Sequence, residues 1–291
     1  LSFPCKIFLI FIILVLEVQA QPIKFLSSFE LSPELQEISG LVSLDGGMSF
    51  YAINDGGNKN LVYQLDSTGR IMRRIAVQNA TNIDWEDLTT DFKNYLYIAD
   101  TGDNKRQRQN QRVYRLSISS LLENDSTQAE IIHIMLTPQF SRKKKNKHPG
   151  YDIEAVCWKN DRLYFFTKQW KMTAQPATHM FCCPAIPGDH RLDPGAAIAY
   201  SDRFFMETQI TGSCLNPETG DLFWVSGTQI FQVKLSEGQV SGIRSFDFDF
   251  LSQKESVCPL GGRRFAVAQE SNKQLGQAAM LHIIEIPEEG R

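Results

Sequence analysis

Long amphipathic helical periodicity is almost absent from this chain, which argues against a helical bundle and against alternating strand–helix units. Cysteine is present without a pattern. Beyond Cys5, the five cysteines Cys157, Cys182, Cys183, Cys214 and Cys258 are odd in number and irregular in spacing. That is no disulfide framework, and with no CxxC pair structural zinc is not expected. They read as small buried apolar residues, with adjacent Cys182 and Cys183 on opposite faces of a strand. The five histidines lack metal-ligand spacing, and there is no glycine-rich phosphate loop, GxSxG elbow or HExxH helix. A strong charge imbalance is missing too. A formal net charge of -3 argues against a dedicated nucleic-acid binder.

What the chain does have is aromatic content of 11%, spread through short apolar runs over 291 residues, enough for a large folded core. At the N-terminus, Lys6 precedes the apolar run "IFLIFIILVL", and "VQA" supplies small residues before a cleavage site after Ala20. Residues 1–20 therefore read as a signal peptide, and the run is short for a membrane span. The expectation is an exported protein (periplasmic or secreted) whose mature chain, residues 21–291, forms one domain without a stable membrane span; an uncleaved anchor is the alternative. Cys5 lies before the apolar core, where a lipoprotein attachment cysteine would not sit.

Runs of four to eight apolar residues alternate with Gly, Asp and Asn turns, the pattern of an all-β chain. Five stretches align without gaps: "EISGLV" from Glu37, "DWEDLT" from Asp84, "DIEAVC" from Asp152, "QITGSC" from Gln209 and "QKESVC" from Gln253. Their third residues are Ser, Glu, Glu, Thr and Glu; their fourth are Gly, Asp, Ala, Gly and Ser. Each is followed by a second run ("SFYAIND", "YLYIADT", "RLYFFTK", "DLFWVSG", "RFAVAQE") and a third ("LVYQLD", "RVYRLS", "HMFCCP", "QIFQVK", "MLHIIE"). A fourth is visible as "RIMRRIAV", "AEIIHIML", a weaker "AAIAYSDRF" and "VSGIRSFDF". Four strands per repeat predict a β-propeller. The last repeat lacks a fourth strand, and "IKFLSSFEL" near the N-terminus can supply it and close the ring. The count favours five blades. Six stays open because the two longest repeats carry extra length, and a two-sheet sandwich is the alternative architecture.

In a propeller the first strand of each blade lines the central channel, and its start lies beside the end of the antiparallel second strand. One mouth would then collect the strand starts Glu37, Asp84, Glu86, Asp152, Glu154 and Glu255. The neighbouring strand ends and loops would add Asn54, Asp55, Asp100, Asp103, Asn104, Lys168, Gln269 and Glu270. Simple alternation puts Asp84 and Glu86 toward the channel, and Trp85 and Asp87 on the opposite face with Trp85 between blades. So many carboxylates around a narrow axis repel one another unless a positive charge sits among them. A hard divalent cation such as Ca2+ is one remedy, and ion pairs with Lys168, Arg106, Arg108 or Arg112 are another. Turn capping by "NDGGN" and "TGDN" is the bland alternative. The run "SRKKKNKHPG", residues 141–150, leads toward the same mouth, either as a phosphate-attracting patch (Arg142, Lys143, Lys144, Lys145, Lys147) or as a solvated loop.

The segments "EISGL", "YAINDGGN", "NIDWEDLTTD" and "LYIADTGDNKRQR", in this order, resemble a group of secreted bacterial proteins with the pattern E-x-S-G-L, N-D-x-G-N, D-W-E-D and D-x-G-D-N. These are similar to calcium-associated propellers, which include gluconolactonase-like hydrolases, phytases and esterase-like proteins. The resemblance covers the first two blades and continues more weakly through "YDIEAV", "QITG" and "ES". It implies functional roles for Glu37, Asp55, Asp84, Glu86, Asp87, Asp100, Asp103, Asn104, Glu154 and Lys168. Thr211 stands where three other blades have Glu, so the carboxylate ring is incomplete in the fourth blade.

Two functions follow. One is a metal-dependent hydrolase of esters, lactones or phosphoesters. Glu37, Asp84, Glu86, Asp152, Glu154 and Glu255 supply metal ligands, and a carboxylate such as Glu86 or Glu154 acts as base. Lys168 or Arg106 faces developing negative charge. The other is a monomeric propeller that captures a small molecule, glycan or protein and whose cation is structural. Neither requires an organic cofactor.

Overall fold

The computed structural model describes residues 22–105, 108–137, 151–168, 177–195, 197–200 and 209–288. The N-terminal segment 1–20, Arg106 and the basic run 141–150 lie outside the described residues.

Five sheets form five blades, each with its four strands running outward from the channel. Blade 1 comprises Ile38–Val42, Ser49–Asn54, Leu61–Asp66 and Ile71–Gln78. Blade 2 comprises Trp85–Thr90, Tyr95–Asp100, Arg112–Ser117 and Glu130–Leu136. Blade 3 is built from Ile153–Lys159, Arg162–Thr167, Ala177–Pro184 and Ala197–Ala199, and blade 4 from Gly212–Leu215, Leu222–Val225, Gln229–Ser236 and Gln239–Asp247. Blade 5 takes Lys254–Pro259, Arg264–Gln269 and Met280–Glu285 from the end of the chain and Lys24–Glu30 from its start. Ile23 N–H also donates to Asp247 O at 3.0 Å, so the same segment ties blade 4 to blade 5. The expected five-bladed all-β propeller, closed by the N-terminal strand, is the observed fold.

Among the described residues, the two longest repeats add edge strands rather than a sixth blade. Ser126–Gln128 adds in parallel to the outer strand of blade 1, and Gly188–Leu192 adds in parallel to that of blade 2. Both cover backbone that would otherwise be an open sheet edge.

The second strand of every blade is a nearly continuous apolar run because both of its faces are buried against neighbouring blades. Five apolar clusters fill the five interfaces between successive blades. Trp85, fully buried against Tyr114, anchors the interface of blades 1 and 2, where the sequence placed it.

One backbone device recurs in the channel strands. In blades 1, 2, 3 and 5 the pairing of the first two strands skips one residue: Ser39, Glu86, Glu154 and Glu255. This is a β-bulge, which leaves one residue without a cross-strand partner and turns the strand locally. In blade 4 the N–H of Thr211 reaches Val225 O, while Gly212 is the residue paired with Val225. All five residues occupy the third position of the aligned stretches. The bulge breaks the alternation, so third and fourth residues both turn toward the axis. Asp87 is therefore not on the face opposite Glu86, as alternation predicts. Its carboxylate, fully buried, accepts the N–H of Leu88 (2.8 Å), of Val156 in blade 3 (2.9 Å) and of Ser213 in blade 4 (3.0 Å). The remaining fourth positions are small. A Cβ on Gly40 would stand 2.7 Å from Leu88 N, and one on Gly212 would collide with Glu255 O.

Candidate carboxylate site at the channel mouth

The channel mouth is assembled by one repeated hydrogen bond. Asp55 N–H donates to Glu37 O (2.8 Å), Lys168 N–H to Asp152 O (2.9 Å) and Glu270 N–H to Gln253 O (2.8 Å), while Gly102 N–H reaches Asp84 O (3.3 Å). Each bond sets the end of a second strand beside the start of a first. The third-position bulge then decides what faces the axis. Where it is a hydroxyl, it stitches blades: Ser39 Oγ donates to Trp85 O (2.8 Å) and Thr211 Oγ1 to Lys254 O (2.5 Å). Where it is Glu, a carboxylate is delivered to the mouth.

Among the described residues two carboxylate triads result, and they share Glu86. Asp55, Asp84 and Glu86 place one oxygen each within 4.8 Å of one another, and so do Glu86, Asp152 and Glu154. Glu86, Asp152 and Glu154 are buried, and Asp55 and Asp84 are half-buried. Among the described residues no ion pair reaches Asp55, Asp84, Glu86 or Glu255. Lys168 Nζ donates to Glu154 Oε2 at 2.9 Å, whereas Glu154 Oε1 is buried with no hydrogen-bond partner.

The electrostatics follow from crowding in a poorly solvated space. Burial, then repulsion from Asp55, pushes Asp84 up to about 6. Burial and the neighbouring Glu154 carry Glu86 well above the usual carboxylate range. Glu154 is also raised well above it, by burial, even with Lys168 beside it. Burial takes Glu255 up to about 7, and burial with Glu255 nearby takes Glu270 up to about 8. For Lys168 burial works against the charge, but Glu154, Glu255 and Glu86 outweigh it and hold the ammonium protonated.

The other sequence candidates have different places. Asp100 is fully buried, but its carboxylate points into the loop: Oδ1 accepts Asp84 N–H (3.0 Å) and Arg108 Nη2 (2.9 Å). Asp103 Oδ2 accepts Arg108 N–H (3.0 Å), and Asp103 N–H donates to Asp152 Oδ1 (2.6 Å). Asn54 Nδ2 donates to Glu34 O (2.6 Å), away from the triads. Glu37 is exposed and accepts Asn58 Nδ2 (2.7 Å). Glu270 accepts Gln253 Nε2 (2.9 Å), and Asn104 is an exposed turn residue.

The sequence candidates did not include Gly56 and Gly102, which press on the carboxylates from the loop side. A Cβ on Gly56 would collide with Asp84 Oδ1. One on Gly102 would collide with Glu86 Oε1 and stand 2.6 Å from Asp84 Oδ2. Their only sequence signal is their place inside "NDGGN" and "TGDN".

No known family profile matches the chain, and no curated protein matches its sequence. Solved structures do. The PQQ-bound aldose sugar dehydrogenase of Streptomyces coelicolor is similar with a TM-score of 0.50 at 13% identity, over 91% of this chain and 98% of that one. A nidogen/laminin complex (TM-score 0.46, 12% identity, 86% and 85% covered) and a gluconolactonase of Xanthomonas campestris (0.38, 12%, 92% and 98%) are more distant. At 13% identity the likeness to the sugar dehydrogenase concerns the fold alone.

Proposed function

We propose that the channel mouth binds a divalent cation, Ca2+ in the first instance, and that this propeller is a cation-dependent hydrolase of ester, lactone or phosphoester substrates. The observation that carries the reading is the pair of triads joined at Glu86, with Glu154 Oε1 buried and unpartnered beside them. A buried carboxylate oxygen without a donor is costly, and a hard cation with oxygen ligands relieves that cost and the mutual repulsion together.

Asp55, Asp84, Glu86, Asp152 and Glu154 are the residues that would hold the ion. When bound, it supplies Lewis-acid polarisation of a carbonyl or phosphoryl oxygen. The remaining chemistry belongs to side chains nearby. Glu255, which burial raises to about 7 in the cation-free site, is the carboxylate that would accept a proton from water near neutral pH. Lys168, kept protonated by its carboxylate neighbours, faces negative charge developing on the substrate. The resemblance to calcium-associated propellers supports this chemistry, and so does the signal-like segment 1–20. Export would place the protein where calcium is plentiful enough to fill even a millimolar site.

The test is turnover on an ester, lactone and phosphoester panel with and without chelator. Chelator-sensitive hydrolysis that Glu255→Gln removes is the expected result; no such activity on any class refutes the hydrolase. One observation favours a second reading, a binding propeller with a structural cation: the triads draw on blades 1, 2 and 3, so an ion there would also crosslink them. In that case Glu86→Gln lowers the melting temperature and no panel substrate turns over.

A further inference from the structure

The loop carrying Gly102 is fixed from both sides, and its fixings converge on one side chain outside the carboxylate triads. From the channel side, Gly102 N–H reaches Asp84 O, Asp103 N–H donates to Asp152 Oδ1 and Thr101 Oγ1 donates to Ile153 O (3.0 Å). Residues 100–103 thus form a strap from blade 2 to blade 3. From the solvent side, Arg108 closes it. Its Nη1 donates to Gly102 O (2.7 Å), and its Nη2 donates to Asp100 O (3.1 Å) and Asp100 Oδ1 (2.9 Å). Its own N–H donates to Asp103 Oδ2 (3.0 Å). The guanidinium side chain is 13% exposed, and its partner Asp100 is fully buried. Arg112 reaches the same carboxylate only at 3.8 Å.

We propose that Arg108 is the positioning residue of the cation site: it holds the strap down so that Gly102 forms a rigid wall against Asp84 and Glu86, and this wall sets the size of ion the mouth accepts. The inference rests on the cation reading above. A planar fork with several donors is needed to hold two backbone carbonyls and a carboxylate at once, which a lysine ammonium cannot reproduce in the same geometry. The selectivity follows from coordination chemistry. Ca2+ takes six to eight oxygens at distances near 2.4 Å, whereas Mg2+ demands a tighter octahedron near 2.1 Å. A fixed wall packed against Asp84 and Glu86 restricts how far they can readjust around an ion and so favours the larger one; a loosened strap lets them close around the smaller one.

The experiment is calorimetric titration of the full chain with Ca2+ and with Mg2+, for wild type, Arg108→Gln, Arg108→Lys and Arg112→Gln, with circular dichroism and melting temperature recorded alongside. Arg108→Gln should weaken Ca2+ binding by about 10-fold or more and narrow the Ca2+ to Mg2+ preference, as outer-shell changes at metal sites do. Arg108→Lys should fall between, and Arg112→Gln should bind as wild type. If Arg108→Gln does not fold, Arg108→Lys, which keeps the charge, carries the comparison. A folded Arg108 variant with wild-type Ca2+ affinity and an unchanged ion preference overturns the proposal while leaving the cation reading intact. A wild-type protein with no saturable cation binding overturns both.

Discussion

Asp87 gives the sharpest stability prediction, because one carboxylate holds three blades together at the axis. Truncation to Ala removes all its contacts and leaves the N–H groups of Leu88, Val156 and Ser213 without an acceptor in a space closed to water. Each of the three buried orphan donors costs about 1–3 kcal/mol, so Asp87→Ala should lose roughly 3–9 kcal/mol. Asn behaves differently. Oδ2 accepts the two bonds from the other blades, Val156 and Ser213, and Oδ1 accepts only Leu88. An amide oxygen in the Oδ2 position keeps both cross-blade bonds, and a neutral amide escapes the burial that raises the acid's pKa well above its usual value. Asp87→Asn should therefore cost no more than about 1–2 kcal/mol. Urea unfolding of both variants, with equal m-values, measures the difference directly. An Ala variant within 1 kcal/mol of wild type (roughly the cost of a single hydrogen bond) would refute the clasp. So would an Asn variant as damaged as the Ala variant.

Other outcomes follow from the same geometry. In chelator, stability should fall as pH rises from 5 to 8. Asp84, Glu255 and Glu270 are raised to about 6, 7 and 8, so the folded state holds protons that the unfolded chain has already released, and that stabilisation is lost as pH passes through these values. The Glu255 contribution alone is at most about 3 kcal/mol, added Ca2+ should flatten the slope, and a cation-free melting temperature constant or rising over this range contradicts it. Gly102→Ala should abolish cation binding while leaving the far blades intact, because its methyl group collides with Glu86; calorimetry showing wild-type affinity would refute the packing. Lys254 is buried with its ammonium bonded to Gly227 O, Phe250 O and Ser252 Oγ and set against the Phe248 and Phe250 rings. Lys254→Ala should cost about 3 kcal/mol or more by stranding those acceptors, measured by urea unfolding, and a loss under 1 kcal/mol contradicts it.

The fold was legible because each blade repeats the same hydrophobic arithmetic. Second strands buried on both faces read as unbroken apolar runs, and the aligned stretches marked the channel strands. The spare strand "IKFLSSFEL" was visible because the last repeat was one strand short. The edge strands Ser126–Gln128 and Gly188–Leu192 were not legible, since three to five polar-rich residues in a long connection carry no periodicity. The site was half legible. Asp84, Glu86, Asp152 and Glu154 stand out as aligned acids, but the bulge that brings both Glu86 and Asp87 to the axis is a backbone event set by packing around the ring. A period-two rule therefore put Asp87 on the wrong face. Asp100 and Asp103 look like ligands in "TGDN". Only the structure shows that Arg108 engages both, the carboxylate of Asp100 through its guanidinium and that of Asp103 through its backbone N–H. The glycines that shape the cage have no side chain to announce them.

The central claim is that a cation belongs among these carboxylates. Its most direct test is calorimetric and thermal titration of chelator-stripped protein with Ca2+, on wild type and on Glu86→Gln, the residue common to both triads. Saturable binding with a concentration-dependent rise in melting temperature is expected for wild type, with both effects lost or weakened at least 10-fold in Glu86→Gln. No binding by wild type, or identical titrations for the two proteins, would contradict the account.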